Sequence, residues 1–346
     1  MNTLKRLALI GVAASLSYAA VATDISGAGA TFPYPIYAKW ADAYKKLTNV
    51  GLNYQSIGSG GGIKQIKAKT VTFGASDMPL KPDDLKEAGL LQFPMIIGGV
   101  VPVVNIKGIG PGQLQLDGAT IAGIYMGDIV KWDDPTIKRL NPKLALPSTA
   151  IAPVYRSDGS GTNFLFSDFL SKSSPKFKSS IGANTSVQWP SGIGAKGNEG
   201  VANMTTQTDG AIGYVEYAYA KQNKMAYTQL TNKAGKSVTP NADSFQAAAA
   251  NADWGHADSY YLILTDQDGA KSWPISGASF ILLYKQPADA APVMEALKFF
   301  AWAYKDGGSM AADLDYVPLP TSLVAQVQKT WATEITAGGH PVWSGK

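Results

Sequence analysis

Arginine and aspartate stand two positions apart, as Arg156 and Asp158, in the segment YRSDGSGTNF (155–164). A guanidinium and small hydroxyls donate hydrogen bonds to an anion, whereas a carboxylate repels one. Residues two apart in an extended strand share a face, so the two side chains can meet. The spacing therefore predicts that Arg156 clamps an anion while Asp158 orients the arginine and offsets part of its charge.

Glycines and small hydroxyls precede a helical stretch three times, in SGAGATFPYP (26–35), SIGSGGGIKQ (56–65) and SDGSGTNFLF (157–166). A helix N-terminus has unpaired N–H groups and partial positive charge, and glycine lets an anion approach them closely. Capping alone would explain any one turn, but three turns with an arginine favour a convergent site for a tetrahedral oxyanion. The expected donors are Thr31, the Phe32 N–H, Ser59, Arg156, Ser160, Gly161 and Thr162.

An acid, Asp77, follows the strand-like segment VTFGASD (71–77). A carboxylate in an anion pocket is repulsive unless the ligand brings a proton to share. Hydrogen phosphate has such a proton and fully ionised sulfate has none, so Asp77 predicts discrimination between them. A turn or N-cap role before Met78 and Pro79 is the structural alternative.

Other chemistry finds less support in the sequence. Residues 192–197 match G-x-G-x-x-G but follow a poor strand exit, so we interpret them as a loop before a helix near Asn198. There is no P-loop, no cysteine, and only His256 and His340, both in polar, turn-like stretches. Carboxylates show no metal-ligand spacing. A thiol nucleophile, zinc–thiolate site or P-loop NTPase is therefore excluded.

The elements that must position these turns alternate along the chain. Strand-like segments occur at 51–57, 71–77, 150–156, 211–217 and 279–285. Helix-like stretches occur at 34–48, 62–69, 161–171, 292–304 and 322–331, and short helices are expected within 107–150. This alternation predicts an α/β architecture with binding turns at the carboxyl ends of strands.

Composition and the N-terminus predict a soluble exported protein. Of 346 residues, 45% are hydrophobic and 16% charged, which argues against disorder and a nucleic-acid partner. Lys5 and Arg6 precede an apolar stretch and a small-residue site ending at Ala22, so residues 1–22 are expected to be a cleaved signal peptide; a membrane anchor would need a longer stretch. Removing them leaves 28 basic and 26 acidic residues.

Motifs along almost the whole mature chain resemble those of the periplasmic phosphate-binding proteins of bacterial phosphate ABC transporters. They include GAGATFPYP (27–35), FGASDMPL (73–80), GSGTNFLF (159–166), GAIGYVEYAYAKQN (210–223) and WPISGASFIL (273–282). The resemblance carries the family's phosphate ligands onto Thr31, Phe32, Ser59, Asp77, Arg156, Ser160, Gly161 and Thr162, and the acid that pairs with the site arginine onto Asp158.

The resemblance also implies a two-lobed periplasmic-binding-protein fold of type II-like form, each lobe with a mixed sheet flanked by helices. We expect lobe I at 23–97 plus 272–346 and lobe II at 98–271, with crossings near 97–99 and 271–279. Gly98 and Gly99 are candidates for hinge rotation or for a simple bend in a buried strand.

The function so implied is a periplasmic receptor that binds phosphate and delivers it to the membrane permease of an ATP-driven importer. It would be a monomer without cofactor, metal or enzymatic activity. A receptor for sulfate, molybdate or arsenate is the alternative within the same class. A secreted phosphatase would need metal ligands or an activated nucleophile. No feature of the sequence bears on an adhesion role.

Overall fold

The computed structural model describes residues 24–250 and 252–345, so the expected signal peptide at 1–22 lies outside the described residues. The strands are β1 (Ile25–Gly29), β2 (Leu52–Ser56), β3 (Phe73–Ser76), β4 (Leu90–Val104), β5 (Gln115–Leu116), β6 (Ala152–Arg156), β7 (Ile193–Ala195), β8 (Ala211–Glu216), β9 (Ala226–Tyr227), β10 (Gln229–Thr231), β11 (Ser237–Val238), β12 (Ser276–Tyr284), β13 (Thr336–Ala337) and β14 (His340–Pro341).

The helices follow the same alternation. They are α1 (Tyr34–Thr48), α2 (Ser59–Lys67), α3 (Pro82–Ala88), α4 (Gly118–Met126), α5 (Pro135–Leu140), α6 (Gly161–Ser173), α7 (Pro175–Ser180), α8 (Gly197–Gln207), α9 (Tyr217–Gln222), α10 (Ala242–Ala250), α11 (Ala290–Asp306), α12 (Gly308–Ala312) and α13 (Thr321–Glu334). Two short 3₁₀ turns, Trp254–His256 and Asp258–Tyr260, precede β12. Within the described residues no helix is long and apolar enough to cross a bilayer.

The main sheet is mixed and has the order β2-β1-β3-β12-β4-β8-β6-β7, with β9 also paired to β4. Strand β1 runs parallel to β2 and β3, and β6 runs parallel to β7 and β8. Strands β12 and β4 run antiparallel to their neighbours between these two groups. Because the carboxyl ends of parallel strands meet at one edge, each group presents its strand-to-helix turns together.

Strand β4 is the longest element of the sheet, and all fifteen of its residues are buried. Residues 90–99 pair with β12, and residues 100–104 pair with β8. The predicted crossing near 97–99 therefore falls inside one continuous strand. The division into two lobes at that point stays a prediction.

The two candidate hinge glycines of β4 lie against aromatic rings. A Cβ on Gly98 would come 2.9 Å from the Phe32 ring, and one on Gly99 would come 2.1 Å from the Phe245 ring. Neither glycine has a positive φ angle. Close packing against rings is thus sufficient to require glycine at both positions.

Local sequence explains the helices that flank the site. In α1 the buried side chains Ile36, Tyr37, Trp40 and Tyr44 follow the helical repeat, and the helix ends at Asn49 in the left-handed conformation. Helix α6 begins after Ser160, whose Oγ accepts from the Asn163 N–H at 2.9 Å. The predicted helix at 62–69 begins earlier, at Ser59.

The interpretation of residues 192–197 as a loop is wrong. Residues Ile193–Ala195 form β7, which pairs in parallel with β6, and α8 begins at Gly197. Sequence periodicity did not predict this short edge strand, because three residues are too few to show an alternation of polar and apolar side chains. The segment is therefore a strand-to-helix turn like the three that the sequence predicted.

Candidate functional site

The second and third glycine-rich turns are in direct contact. The Gly60 N–H donates to the Gly159 carbonyl at 2.8 Å, and the Gly161 N–H donates to Ser59 Oγ at 3.0 Å. These turns follow β2 and β6, which lie in the two different parallel groups of the sheet. The fold therefore brings together helix N-termini that are about a hundred residues apart in sequence.

The first turn contacts the second through the Gly29 carbonyl, which accepts from the Ile57 and Gly58 N–H groups, and it contacts the third through Asn198 near the start of α8. Asn198 Nδ2 donates to Thr31 Oγ1 at 2.6 Å and lies 3.2 Å from Thr162 Oγ1, and Asn198 Oδ1 accepts from the Glu216 N–H at 2.8 Å. Asn198 is fully buried. Sequence reasoning missed this residue, although the G-x-G-x-x-G match that precedes it was an available signal.

Arg156 and Asp158 form a buried bidentate ion pair. Arg156 Nε donates to Asp158 Oδ1 at 2.8 Å and Nη2 donates to Oδ2 at 2.6 Å. Asp158 Oδ1 also accepts from the Gly197 N–H at 3.1 Å. Burial alone would raise the pKa of Asp158, but the hydrogen bonds and charge of Arg156, with the Gly197 N–H, hold it below its ordinary value.

The remaining guanidinium nitrogen of Arg156, Nη1, is buried and has no hydrogen-bond partner among the described residues. The whole residue is only 4% exposed. A buried cationic donor without a partner is costly unless a ligand accepts its hydrogen bond. Arg156 thus offers one donor to whatever occupies the site, while Asp158 holds the other edge of the guanidinium.

Asp77 lies directly after β3 and is 1% exposed. Its N–H donates to Ser59 Oγ at 3.1 Å, but both carboxylate oxygens are buried without a hydrogen-bond partner in the described part of the chain. Burial raises the pKa of Asp77 to about 7, against smaller lowering effects of the Ser279 hydroxyl, the Arg156 charge and the Ser59 hydroxyl. Ser279 was not foreseen from the sequence.

Gly161 lies where no side chain fits. A Cβ there would come 2.5 Å from Asp77 Cβ and 2.6 Å from Ser59 Oγ. The neighbouring Ser160 and Thr162 are fully buried at the N-terminus of α6. Glycine is therefore required for the third turn to approach the second turn and the acid this closely.

Phe32 is buried, with its ring in an edge-on contact to Tyr316 at 6.2 Å between centroids. The Phe32 ring packs in the core, while the backbone of the same residue lies in the first turn at the site. All eight predicted ligand residues and Asp158 thus lie in one region, joined by Ser59, Asn198 and the turn contacts. Their role as phosphate ligands stays a prediction.

The groups in this region are of the kinds that can bind a protonated oxyanion. Among the described residues, Asp77 is an acceptor and Arg156 Nη1 a donor without a hydrogen-bond partner. Helix N-termini and hydroxyls surround them. His256 and His340 are exposed, and residues 24–250 and 252–345 contain no group of three or more His, Asp or Glu side chains that could hold a metal ion.

Comparison with known proteins identifies the family. Residues 16–306 match the family model described as a PBP superfamily domain. The chain is 54% identical over 310 residues to the phosphate-binding protein PstS of Xylella fastidiosa strain 9a5c, covering 90% of this chain and 85% of that protein. It is 53% identical over 323 residues to PstS of Pasteurella multocida, covering 93% of this chain and 94% of that protein.

Solved structures agree on the fold. A phosphate-binding protein from Stenotrophomonas maltophilia has a TM-score of 0.71 at 21% identity, with 94% of this chain and 99% of that chain covered. A high-affinity periplasmic phosphate-binding protein called PfluDING, solved with bound phosphate, has a TM-score of 0.72 at 22% identity, covering 92% and 97%. The expected α/β fold of the periplasmic binding proteins is confirmed. The chain belongs to the PBP superfamily and, within it, to the family of the phosphate-binding proteins PstS.

Proposed function

We propose that this protein binds inorganic phosphate in the buried site between its turns and delivers it to the transmembrane permease of an ATP-driven importer. The observation that supports this proposal is a pair of buried groups without hydrogen-bond partners in the part of the chain that the structure describes. They are the acceptor Asp77 and the donor Arg156 Nη1. Hydrogen phosphate satisfies both, since it presents oxygens to the donor and a proton to the acceptor. The names of the relatives support the same ligand.

The proposed ligands of the phosphate oxygens are the predicted donors. Arg156 contributes one charged hydrogen bond, and the N-termini of α1, α2 and α6 contribute backbone N–H groups and side-chain hydroxyls. Charge is then dispersed over many dipoles with a single guanidinium, itself paired to Asp158. Because the site has little net positive charge, the anion can be released, as a transport receptor requires.

We further propose that the two parallel groups of the sheet belong to separate lobes, 23–97 plus 272–346 and 98–271, that close on phosphate by a hinge. The change of partner along β4 from β12 to β8 supports this division. Residues 1–22 would direct export to the periplasm and be removed after Ala22. The working form would be a monomer without cofactor, and catalysis forms no part of this role.

Titration calorimetry on phosphate-stripped protein with phosphate, arsenate and sulfate tests the proposal. We expect phosphate to bind and sulfate at equal concentration not to bind. Phosphate at 100 times its dissociation constant should stabilise the fold by about 2.7 kcal/mol, which a thermal melt detects. Equal responses to phosphate and sulfate would overturn the assignment. Arg156→Ala, which removes the charged donor, should weaken phosphate binding and reduce the phosphate-induced stabilisation.

A further inference from the structure

Three consecutive backbone carbonyls in the first turn each accept a hydrogen bond from a different tyrosine hydroxyl. The donor–acceptor pairs are Tyr54 with Ala30 at 2.7 Å, Tyr219 with Thr31 at 2.7 Å, and Tyr316 with Phe32 at 2.6 Å. Tyr219 and Tyr316 are 4% and 0% exposed. The turn that carries two of the proposed ligands is therefore held from outside by three side chains of the protein.

The bonds from Tyr54 and Tyr219 determine where two peptide N–H groups point. The bond from Tyr316 holds the Phe32 carbonyl, whose peptide bond to Pro33 has no N–H. In a trans peptide the carbonyl and the following N–H lie in one plane and point in opposite directions. The bond from Tyr219 to the Thr31 carbonyl therefore directs the Phe32 N–H the opposite way. The bond from Tyr54 to the Ala30 carbonyl does the same for the Thr31 N–H.

The three tyrosines come from separate parts of the fold. Tyr54 lies in β2, Tyr219 in α9 and Tyr316 after α12. Tyr219 is 188 residues from Thr31 and follows β8, in the other parallel group of the sheet. If the lobes move as proposed above, the bond from Tyr219 forms only when they close, whereas Tyr54 and Tyr316 stay in the lobe of the first turn.

We propose that Tyr54, Tyr219 and Tyr316 are positioning residues, here called the tyrosine cradle, and that Tyr219 aligns the Phe32 N–H with the anion as the site closes. This inference rests on the proposed function. It assigns a role to hydroxyls outside the predicted ligand set. Lobe closure and the alignment of the Phe32 N–H would then occur together, because the hydrogen bond from Tyr219 to the Thr31 carbonyl joins the two lobes and also orients that N–H.

Two of these hydroxyls have a carboxyl as a second neighbour. Tyr219 Oη lies 3.0 Å from Glu199 Oε1, and Tyr316 Oη lies 2.8 Å from Glu216 Oε2. A phenol has one proton, so it serves one acceptor at a time. Tyr219 Oη is closer to the Thr31 carbonyl oxygen, at 2.7 Å, than to Glu199. Tyr316 Oη is likewise closer to the Phe32 carbonyl oxygen, at 2.6 Å, than to Glu216. The shorter hydrogen bond of each hydroxyl is therefore the one to the first turn.

Tyr219→Phe tests the inference, because it removes the hydroxyl and keeps the ring. The control is Tyr304→Phe, which removes a hydroxyl that donates to the Pro94 carbonyl away from the site. We expect Tyr219→Phe to raise the dissociation constant for phosphate roughly threefold to tenfold, as for one hydrogen bond. Stopped-flow kinetics should place the change in the dissociation rate, while ligand-free thermal stability falls no more than in the control.

Tyr54→Phe and Tyr316→Phe should each weaken phosphate binding more than the control does. Phosphate affinities for the three cradle variants that equal that of Tyr304→Phe would overturn the inference. A loss confined to ligand-free stability would also overturn it, because it would reduce the hydroxyls to a structural role. Failure of the unmodified protein to bind phosphate would instead refute the proposed function, so the two failures are distinguishable.

Discussion

Replacing Asp77 by Asn should remove most of the discrimination against sulfate. Both Asp77 carboxylate oxygens are buried and have no hydrogen-bond partner among residues 24–250 and 252–345. Hydrogen phosphate can donate its own proton to one of them. Sulfate has none, so a site closed around sulfate holds a carboxylate against an anion oxygen unless Asp77 first takes a proton from water. Asparagine presents a neutral amide whose N–H can face the sulfate oxygen.

The pKa of Asp77 sets the size of this effect. Burial raises the pKa of Asp77 from its ordinary value of 3.8 to about 7 in this structure. In the proposed open form water would hydrate the carboxyl and return its pKa toward 3.8. Protonating a group of pKa 3.8 at pH 7.5 costs about 5 kcal/mol, since each pH unit above the pKa costs about 1.4 kcal/mol. Because this proton is taken up with sulfate, sulfate affinity should fall with rising pH, by up to about tenfold per unit below pH 7 and by less above it.

Calorimetric titration of sulfate at pH 5.5, 6.5 and 7.5 measures the slope, with competition against phosphate where binding is weak. In Asp77→Asn the slope should vanish and sulfate affinity at pH 7.5 should rise by about two to three orders of magnitude, within the limit set by the protonation cost. Phosphate affinity should fall about tenfold, because a charged acceptor becomes neutral.

The matched control is Asp42→Asn, which makes the same substitution in an exposed ion pair with Lys46. It should leave both anions unaffected. The reasoning is refuted if sulfate binding to the unmodified protein is independent of pH. It is equally refuted if Asp77→Asn binds sulfate no better than the unmodified protein at pH 7.5.

Three further experiments test the contacts of the site by phosphate calorimetry. Gly161→Ala places a Cβ 2.5 Å from Asp77 Cβ and should weaken phosphate binding about 10- to 100-fold through overpacking. Asn198→Ala removes the donor shared by two threonine hydroxyls and should cost about 1–3 kcal/mol of binding free energy. A double-mutant cycle of Arg156→Ala and Asp158→Ala should show a coupling of about 1–3 kcal/mol in binding, because the buried pair acts as one unit.

Each of these has a distinct control or contradicting result. Gly110→Ala has no atom closer than 3.6 Å to the added Cβ and should bind phosphate normally. Asn203→Ala changes an exposed residue of the same helix as Asn198 and should also bind normally. Affinities matching these controls would show that Gly161 and Asn198 do not shape the site. Strict additivity in the cycle would show that Arg156 and Asp158 are uncoupled.

Local features of the site could be predicted because each depends on a short stretch of chain. The helical spacing of Ile36, Trp40, Ala43, Tyr44 and Leu47 predicts a buried face of α1. Ile36, Trp40 and Tyr44 are buried as predicted, whereas Leu47 in the last turn is exposed. The Arg156–Asp158 pair follows from two residues on one face of a strand end. The Ser160 cap also lies within a few residues of its partner.

Strand β4 had no such local signal. It is buried on both faces, so it lacks the alternation that marks a strand with one exposed face. Proline is disfavoured in a central strand, and β4 contains two, Pro94 and Pro102. Pro94 lies next to the register shift between Ser279 and Phe280 of β12, where the pairing is irregular. The sequence allowed a buried strand at Gly98 and Gly99, but its length and its partners could be recognised only with the neighbouring strands in place.

The sequence by itself determined the alternation of strands and helices, the three glycine-rich turns and the charged pair within one of them. The tertiary structure alone decided that Asn198 bridges Thr31 and Thr162, and that Tyr219 holds a carbonyl 188 residues away. The physical reason is the separation along the chain between the residues that interact. Capping and strand spacing are set by bonds between near neighbours, whereas these contacts depend on the order in which distant strands pair and the edge at which their ends meet.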